Sequence, residues 1–352
     1  MLPAFHLSCS EMICKWEEML CKDSTTELDI MPFLEFLSGE AISRTAFGGN
    51  YENGRRIFQL QREQARYVTN AMRSFYIPGW RYAPTKMHRR MNEINKELKA
   101  LIKQMIRERE KAMQMTSGNE FDDLLSTLLN SNRKVVQENG PKQKHVMTTE
   151  DIVEECKLFF SAGQETTSSL LVWTIIMLSV NPDWQARARE EVIEVFGTNQ
   201  PDFDGLGRLK VVTMILFEVL RLYPPATAVL RTIEKDTQLG EMLLPARTTI
   251  FLPTLLVHHD VELWGEDASD FNPQRFSEGI SKATKGRISF FPFGWGHRSC
   301  IGQNFAMIEA KLVLSMILQR FKFKLSPGYS HRPLISVVLQ PEHGAQIILS
   351  KY

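Results

Sequence analysis

The feature that most constrains this chain is the stretch Phe290–Gly302, FFPFGWGHRSCIG, which sets a lone cysteine between glycines directly ahead of an apolar helical pattern. Cys300 lies between Gly296 and Gly302, with Arg298 two residues before it and Phe293 seven before it. Phe305, Ile308, Leu312 and Met316 follow at three- and four-residue spacing, the period of a helix face. A thiolate serves as a metal ligand only where its charge is stabilised. A loop of backbone N–H groups that runs into a helix N-terminus supplies that stabilisation. Glycines let such a loop fold close beneath a flat macrocycle, where a Cβ would collide. Two plainer readings compete. A free cysteine is commonly a small buried hydrophobe, which predicts that Cys300 is buried. A dinucleotide turn fits badly, because Ser299 stands where the third glycine of G-x-G-x-x-G belongs.

Phe293, Gly296, Arg298, Cys300 and Gly302 fill every fixed position of F-x-x-G-x-R-x-C-x-G. The stretch thereby resembles the cysteine loop of the cytochrome P-450, or haem-thiolate monooxygenase, family. The resemblance implies that Cys300 is the axial ligand of the iron in haem b, with Phe293, Gly296, Arg298 and Gly302 around the cofactor. Three further constellations carry the same likeness. AGQETT, Ala162–Thr167, interrupts a long helical pattern with a glycine, which costs about 1 kcal/mol relative to alanine in a helix interior. Small residues there leave room for a diatomic ligand, and Glu165 and Thr166 are placed to pass protons towards it. The six residues resemble the oxygen-activation motif A/G-G-x-D/E-T-T.

Glu218 and Arg221 stand one helical turn apart among Phe217, Val219, Leu220 and Leu222, which points to a buried ion pair in need of a third partner. FNPQRF, Phe271–Phe276, resembles the family's P-x-R-F segment and offers Arg275, so the trio has a structural role beneath the cysteine loop. Arg231 in VLRT, together with Arg298, occupies a position where the family pairs arginine with a haem propionate; bidentate pairing is the reason for the residue type. Family pockets draw on the stretches around Phe159, Phe160 and Ala162 and around Ala226 and Val229, which are apolar here. The segments AISRTAFG, KLFFSAGQETTSSLLVWT, WQARAREE and HHDVELWGEDASDFNPQRF look most like the plant branch that contains secologanin synthase and triterpenoid oxidases. That likeness implies an apolar terpenoid substrate. His258-His259 has no ligand spacing and reads as structural.

Charge decides what the chain is not. Lys plus Arg number 42 against 41 Asp plus Glu, a net charge of +1, which argues against a nucleic-acid partner. The 5 cysteines form no C-x-x-C pair, so a reduced protein is expected. No apolar run reaches the roughly 18 residues of a membrane span, and no leader pattern is visible. Helical patterning is expected throughout from Leu2 to about Met113, with turns at Gly48-Gly49 and Pro78-Gly79, and a polar loop is expected over 131–144. Thr148 and Asp151 read as the cap of a helix that runs to Val180, where Asn181-Pro182 stops it. Further helices are expected over 184–196 and 212–222, β structure over 248–256, and short strands near 321–325, 335–339 and 345–349.

The expectation is therefore a mainly α fold with a small β portion, the cytochrome P-450 fold, forming one catalytic domain over 1–352. Family members begin with a membrane helix, a proline hinge, the first strands and a helix bearing W-x-x-x-R. None of these patterns is found here, so the chain is expected to lack the N-terminal part and to hold haem weakly. The implied activity is insertion of one oxygen atom from O2 into an apolar small molecule, with electrons from NADPH by way of an NADPH–cytochrome reductase. A full-length relative would sit on the cytosolic face of the endoplasmic reticulum membrane. Two rivals are a relative that rearranges peroxides, which intact Glu165-Thr166 opposes, and a non-catalytic fragment without haem.

Overall fold

Thr148 and Asp151 cap a 32-residue helix, Thr149–Val180, from both sides. The Thr148 N–H and Oγ1 donate to Asp151 Oδ2 at 2.8 and 2.7 Å, and the Asp151 N–H donates back to Thr148 Oγ1 at 3.2 Å. This satisfies donors that a helix N-terminus otherwise leaves open. The computed structural model describes residues 1–20, 24–48, 51–73, 85–115, 123–139 and 146–352. Gly49, the Pro78-Gly79 pair and Cys21 lie outside the described residues. The chain forms two compact units, one of Met1–Met12 and Pro32–Glu165, the other of Ile13–Met31 and Thr166–Tyr352.

The first unit is helical. It contains the start of α1 (Leu2–Leu20), then α2 (Met31–Phe47), α3 (Tyr51–Arg73), α4 (Lys86–Met115), α5 (Leu124–Asn139) and the first half of α6 (Thr149–Val180). Phe5, Leu34, Leu37, Ile57, Leu60, Ile94, Leu98 and Phe160 are fully buried and form its core. The thin apolar stripe of α4, Ile94, Leu98, Ile102 and Ile106, faces inward. Its charged side pairs with α3 through Arg56–Glu97 at 2.6 Å and Arg90–Glu63 at 2.7 Å. The polar stretch expected as a loop over 131–144 is instead helical to Asn139. Asn132 explains the difference, since its side-chain amide holds both the N–H and the carbonyl of Met147, at 2.8 and 2.9 Å, and braces the helix from outside.

The second unit mixes helices with small antiparallel sheets. A three-stranded sheet runs in the order β1-β9-β6, with β1 at Thr25–Asp29, β6 at Phe321–Leu325 and β9 at Gln346–Lys351. β1 corrects the expectation of unbroken helix before Met113. Its five residues become a strand by pairing with a segment more than 300 residues away, Leu28 opposite Ile347. Asp29 fixes that pairing, because its Oδ1 accepts from the Ala345 N–H at 2.8 Å and the Met31 N–H at 3.1 Å. Three strand pairs complete the β part: β2 (Val229–Thr232) with β5 (Thr249–Leu252), β3 (Thr237–Leu239) with β4 (Met242–Leu244), and β7 (Pro333–Ile335) with β8 (Leu339–Pro341). The strand expected over 335–339 is thus the turn of a hairpin, closed by the Ser336 N–H on the Val338 carbonyl at 3.1 Å.

The helices of this unit are the end of α1, the rest of α6, then α7 (Pro182–Phe196), α8 (Phe203–Arg208), α9 (Val211–Leu222), α10 (Thr254–His258), α11 (Val261–Trp264), α12 (Ile280–Ala283) and α13 (Gln303–Arg320). The β structure expected over 248–256 stops at Leu252, where Pro253 turns the chain into α10. Leu171, Trp173, Ile175, Leu178, Ile215, Leu216, Leu312, Val313 and Ile317 build the core. Buried Arg189 donates to the Leu318 and Phe321 carbonyls at 3.0 and 2.6 Å and so caps the C-terminal end of α13. Among the described residues no helix is long and apolar enough to cross a membrane.

Candidate functional site

Cys300 is exposed, whereas Cys9 and Cys156 are buried. The reading of Cys300 as a small core residue is therefore excluded. Backbone bonds hold its loop in shape: the Cys300 N–H donates to the Phe293 carbonyl at 2.8 Å, the Gly294 N–H to Phe291 at 2.9 Å, and the Ser299 N–H to Gly296 at 3.1 Å. Gly294 and Gly296 adopt φ of +73° and +74°, left-handed values that a side chain would strain. Gly302 is the N-cap of α13 and offers no side-chain cap. A Cβ built on Gly302 would lie 3.8 Å from Cys300 Sγ, which locates the sulfur against the α13 N-terminus. The sulfur thus lies beside a helix end whose first N–H groups no side chain caps. Trp295 and Ile301, close to Cys300 in sequence, are both exposed.

Beneath the loop, the structure brings Glu218, Arg221 and Arg275 together. Glu218 and Arg221 are both fully buried, and their two parallel bonds are each 2.8 Å long. Arg275 Nε approaches Glu218 Oε1 at 3.4 Å, and the Asn272 N–H donates to the same oxygen at 2.9 Å. Arg221 also donates to the carbonyls of His258, Ala268 and Asp270 at 2.9, 2.6 and 3.1 Å, so all of its guanidinium N–H groups are engaged. One buried ion pair thus ties down the irregular backbone from His258 to Asn272. Arg275 continues the work through the Trp264 carbonyl at 3.1 Å and the Asp267 carboxylate at 2.6 Å.

His258 carries this restraint up to the cysteine loop, a role that its sequence does not announce. It is fully buried, its ring stacks on Phe290 at 5.3 Å, and its Nε2 accepts the Phe291 N–H at 3.0 Å. Burial and the neighbouring Arg221 charge push its pKa down to about 3, so the ring is neutral and free to accept. The sequence signal, a His-His pair without ligand spacing, cannot identify such a contact. Phe290 in turn packs edge-on against Phe217 and Trp264 and at a tilt against Phe276.

Arg231 lies on β2 opposite Ile250, and Arg298 on the single helical turn Gly296–Arg298. Among the described residues neither is paired with a carboxylate; Arg231 donates to the Leu230 carbonyl at 3.0 Å. Ala226 is exposed and Val229 half-buried. On α6, Glu165 and Thr166 are half-buried and Thr167 is buried. Burial raises the pKa of Glu165, with the charge of Arg62 opposing the rise. Gly163 has a packing reason of its own, since a Cβ there would sit 2.9 Å from Ile42 Cδ1 and Cγ1. The small residue lets α2 and α6 approach, and Ala162 next to it is exposed.

Phe159 is half-buried, whereas Phe160 sits in the core of the first unit, stacked on Phe47 at 4.0 Å and edge-on to Phe58 at 5.3 Å. The exposed apolar side chain on that part of α6 is Leu158, one turn before Ala162 and two before Thr166. Pocket residues inferred from stretches thus divide by helix face, and Phe160 falls on the packed one.

The donor set fits a haem: an exposed thiol at an uncapped helix N-terminus, a glycine loop in left-handed conformation, and two arginines that have no carboxylate partner among the described residues. Comparison with known proteins agrees. The cytochrome P450 family model matches residues 1–349. Cytochrome P450 CYP72A219 of Panax ginseng is 56% identical over 99% of this chain and 67% of its own length. The 11-oxo-beta-amyrin 30-oxidase of Glycyrrhiza uralensis is 52% identical over 100% of the chain and 67% of its own length. For the 7-deoxyloganic acid hydroxylase of Catharanthus roseus the values are 49%, 100% and 68%. Among solved structures, the cytochrome P450DA heme domain superposes with a TM-score of 0.83 at 24% identity, covering 100% of this chain and 73% of that one.

Proposed function

The chain belongs to the cytochrome P450 family, a haem monooxygenase by descent, and from that premise we propose that it oxidises an apolar terpenoid at an unactivated carbon. The observation that carries the proposal is the exposed Cys300 thiol, its N–H locked to the Phe293 carbonyl at 2.8 Å, lodged at the N-terminus of α13. Haem b, which Cys300 would hold, would supply the activation of O2 and the insertion of one oxygen atom. The protein's own contribution is to position, to neutralise charge and to manage protons.

Cys300 is the residue that would ligate the iron, presented at the N-terminus of α13 by a loop that its own N–H closes on the Phe293 carbonyl. Arg231 and Arg298 take up the propionate charges, each through a planar fork suited to a carboxylate. Phe293, Gly296 and Gly302 shape the seat. Glu165, whose pKa burial raises, and Thr166 Oγ1 are the pair that relays protons from α6. The apolar stretches on offer to a substrate are Leu158, Phe159 and Ala162 in the first unit and, in the second, Ala226 and Val229. Electrons arrive from NADPH through a flavoprotein reductase. A terpenoid substrate is supported by two relatives whose names specify a beta-amyrin derivative and 7-deoxyloganic acid.

The test is a spectrum and an assay. Purified protein, reduced and treated with carbon monoxide, should give the thiolate-type band, and Cys300→Ser should lose that band. A thiolate band that persists in Cys300→Ser would remove Cys300 from the iron. Turnover with a plant reductase and NADPH, run on triterpenoid and iridoid acids, should give a hydroxylated product. A thiolate band without oxidation of either class would overturn the substrate assignment and leave the haem assignment standing.

A further inference from the structure

Behind the oxygen motif, in the second unit, lies a row of oxidisable rings that the monooxygenase reaction does not use. Trp173 is fully buried, and it lies seven residues beyond Thr166 on α6. Seven residues are just short of two turns, so Trp173 shares a helix side with Thr166 about 10 Å along the axis. Its indole stacks nearly parallel on Tyr223, with ring centroids 4.2 Å apart and an interplanar angle of 11°. Tyr223 OH lies 3.3 Å from His331 Nε2, and Tyr329 OH lies 3.0 Å from His331 Nδ1. His331 is exposed and Tyr329 half-buried. The row therefore runs unbroken from the core to the surface.

We propose that Trp173, Tyr223, His331 and Tyr329 form a one-electron relay that drains oxidising equivalents from the interior to solvent. Packing alone accounts for the stack but not for the imidazole set between two phenols. The chemistry of each member fits a step. The indole N–H of Trp173 donates to the Leu339 carbonyl at 2.9 Å, a group too weakly basic to take the proton. An oxidised Trp173 thus stays a radical cation and draws an electron from the stacked Tyr223. Tyr223 gives up its phenolic proton to His331 Nε2 in the same step and becomes a neutral radical. Tyr329 then supplies an electron to Tyr223, which recovers its proton from His331, while the Tyr329 phenol releases its own proton to solvent. The histidine ends neutral, as it began. A small reductant such as ascorbate or a thiol returns a hydrogen atom to Tyr329. Partial desolvation by its neighbours lowers the His331 pKa from its ordinary value, a shift that favours the accepting form of the ring. The oxidant is the peroxide-level equivalent left when O2 is activated without substrate, and only this source rests on the haem reading above.

The experiment has two arms. In the first, the chain without haem is illuminated in the indole band with a nitroso spin trap, and adducts are mapped by peptide mass spectrometry. The parent should carry an adduct on Tyr329 that is lost in Trp173→Phe and in Tyr223→Phe, and strongly reduced in His331→Gln. Tyr223→Phe keeps the stacked ring and removes only the hydroxyl, so circular dichroism should be unchanged. An equal Tyr329 adduct in parent and Tyr223→Phe would overturn the relay. In the second arm, haem-loaded protein with a verified thiolate band receives hydrogen peroxide in place of light. The same adduct pattern should appear, with faster haem bleaching in Tyr223→Phe than in the parent. A relay seen with light and not with peroxide would overturn its protective role. If no thiolate band forms, the haem reading fails and the first arm alone decides the relay.

Discussion

Acid should loosen the cysteine loop through His258. The ring accepts the Phe291 N–H at 3.0 Å, and its pKa is depressed to about 3 in the folded protein. An unfolded histidine titrates near 6.5, so below that pH the unfolded chain binds a proton that the folded chain refuses. The stability linked to this group is complete above about pH 6.5 and is lost as pH falls towards 3. At about 1.4 kcal/mol per pH unit, the loss between pH 7 and pH 5 comes to about 2 kcal/mol, and to about 3 kcal/mol by pH 4. The clean comparison is with His258→Gln, whose amide oxygen still accepts from Phe291 but does not titrate. Urea unfolding followed by tryptophan fluorescence at each pH gives the stability of parent and variant. Carboxylates shared by both cancel in the difference, which should move by about 2 kcal/mol against the parent from pH 7 to pH 5. A difference that stays flat across that range would refute the account of His258 as a buried neutral acceptor.

The other predictions concern the ion pair, the helix crossing and the oxygen motif. Glu218→Gln leaves Arg221 buried without its counter-charge and should destabilise the chain by about 3–5 kcal/mol in urea unfolding; a loss below about 1 kcal/mol would mean that the carbonyls of His258, Ala268 and Asp270 suffice. Gly163→Ala should cost about 1–3 kcal/mol despite the better helix propensity of alanine, because its Cβ meets Ile42 at 2.9 Å. In an Ile42→Ala background the same Gly163→Ala change should cost much less, and an undiminished cost there would place the strain elsewhere. Thr166→Ala, assayed with haem and reductase, should keep NADPH consumption and divert oxygen to peroxide. Equal product per NADPH in variant and parent would show that Thr166 Oγ1 does not handle the proton.

Several features were legible in the residues because their causes are local. The Thr148–Asp151 cap and the Asn181-Pro182 stop act within one turn of α6, so spacing alone reveals both ends. Glu218 and Arg221 are neighbours on one helix turn, and the surrounding apolar residues predict their burial. Other features had no local signature. The strand Thr25–Asp29 exists because β9 lies beside it, and five residues reading TTELD carry no warning of that. Phe159 and Phe160 are adjacent in sequence yet part company in space, since one residue turns a helix face by about 100°.

The sequence by itself determined which residues carry the proposed chemistry: a cysteine framed by glycines directly ahead of a helix, and an acid–hydroxyl pair inside a long helix. Those properties follow from residue type and short-range backbone geometry. Only the tertiary structure decided how that chemistry is held. It brought the Arg275 side chain and the His258 carbonyl to the Glu218–Arg221 pair, set the His258 ring under Phe291, seated Gly163 on Ile42, and lined up Trp173 with Tyr223, His331 and Tyr329. Each of these contacts joins residues far apart along the chain. Nothing in their local spacing encodes them, because the energy that selects them, burial with every polar group satisfied, is a property of the packed whole.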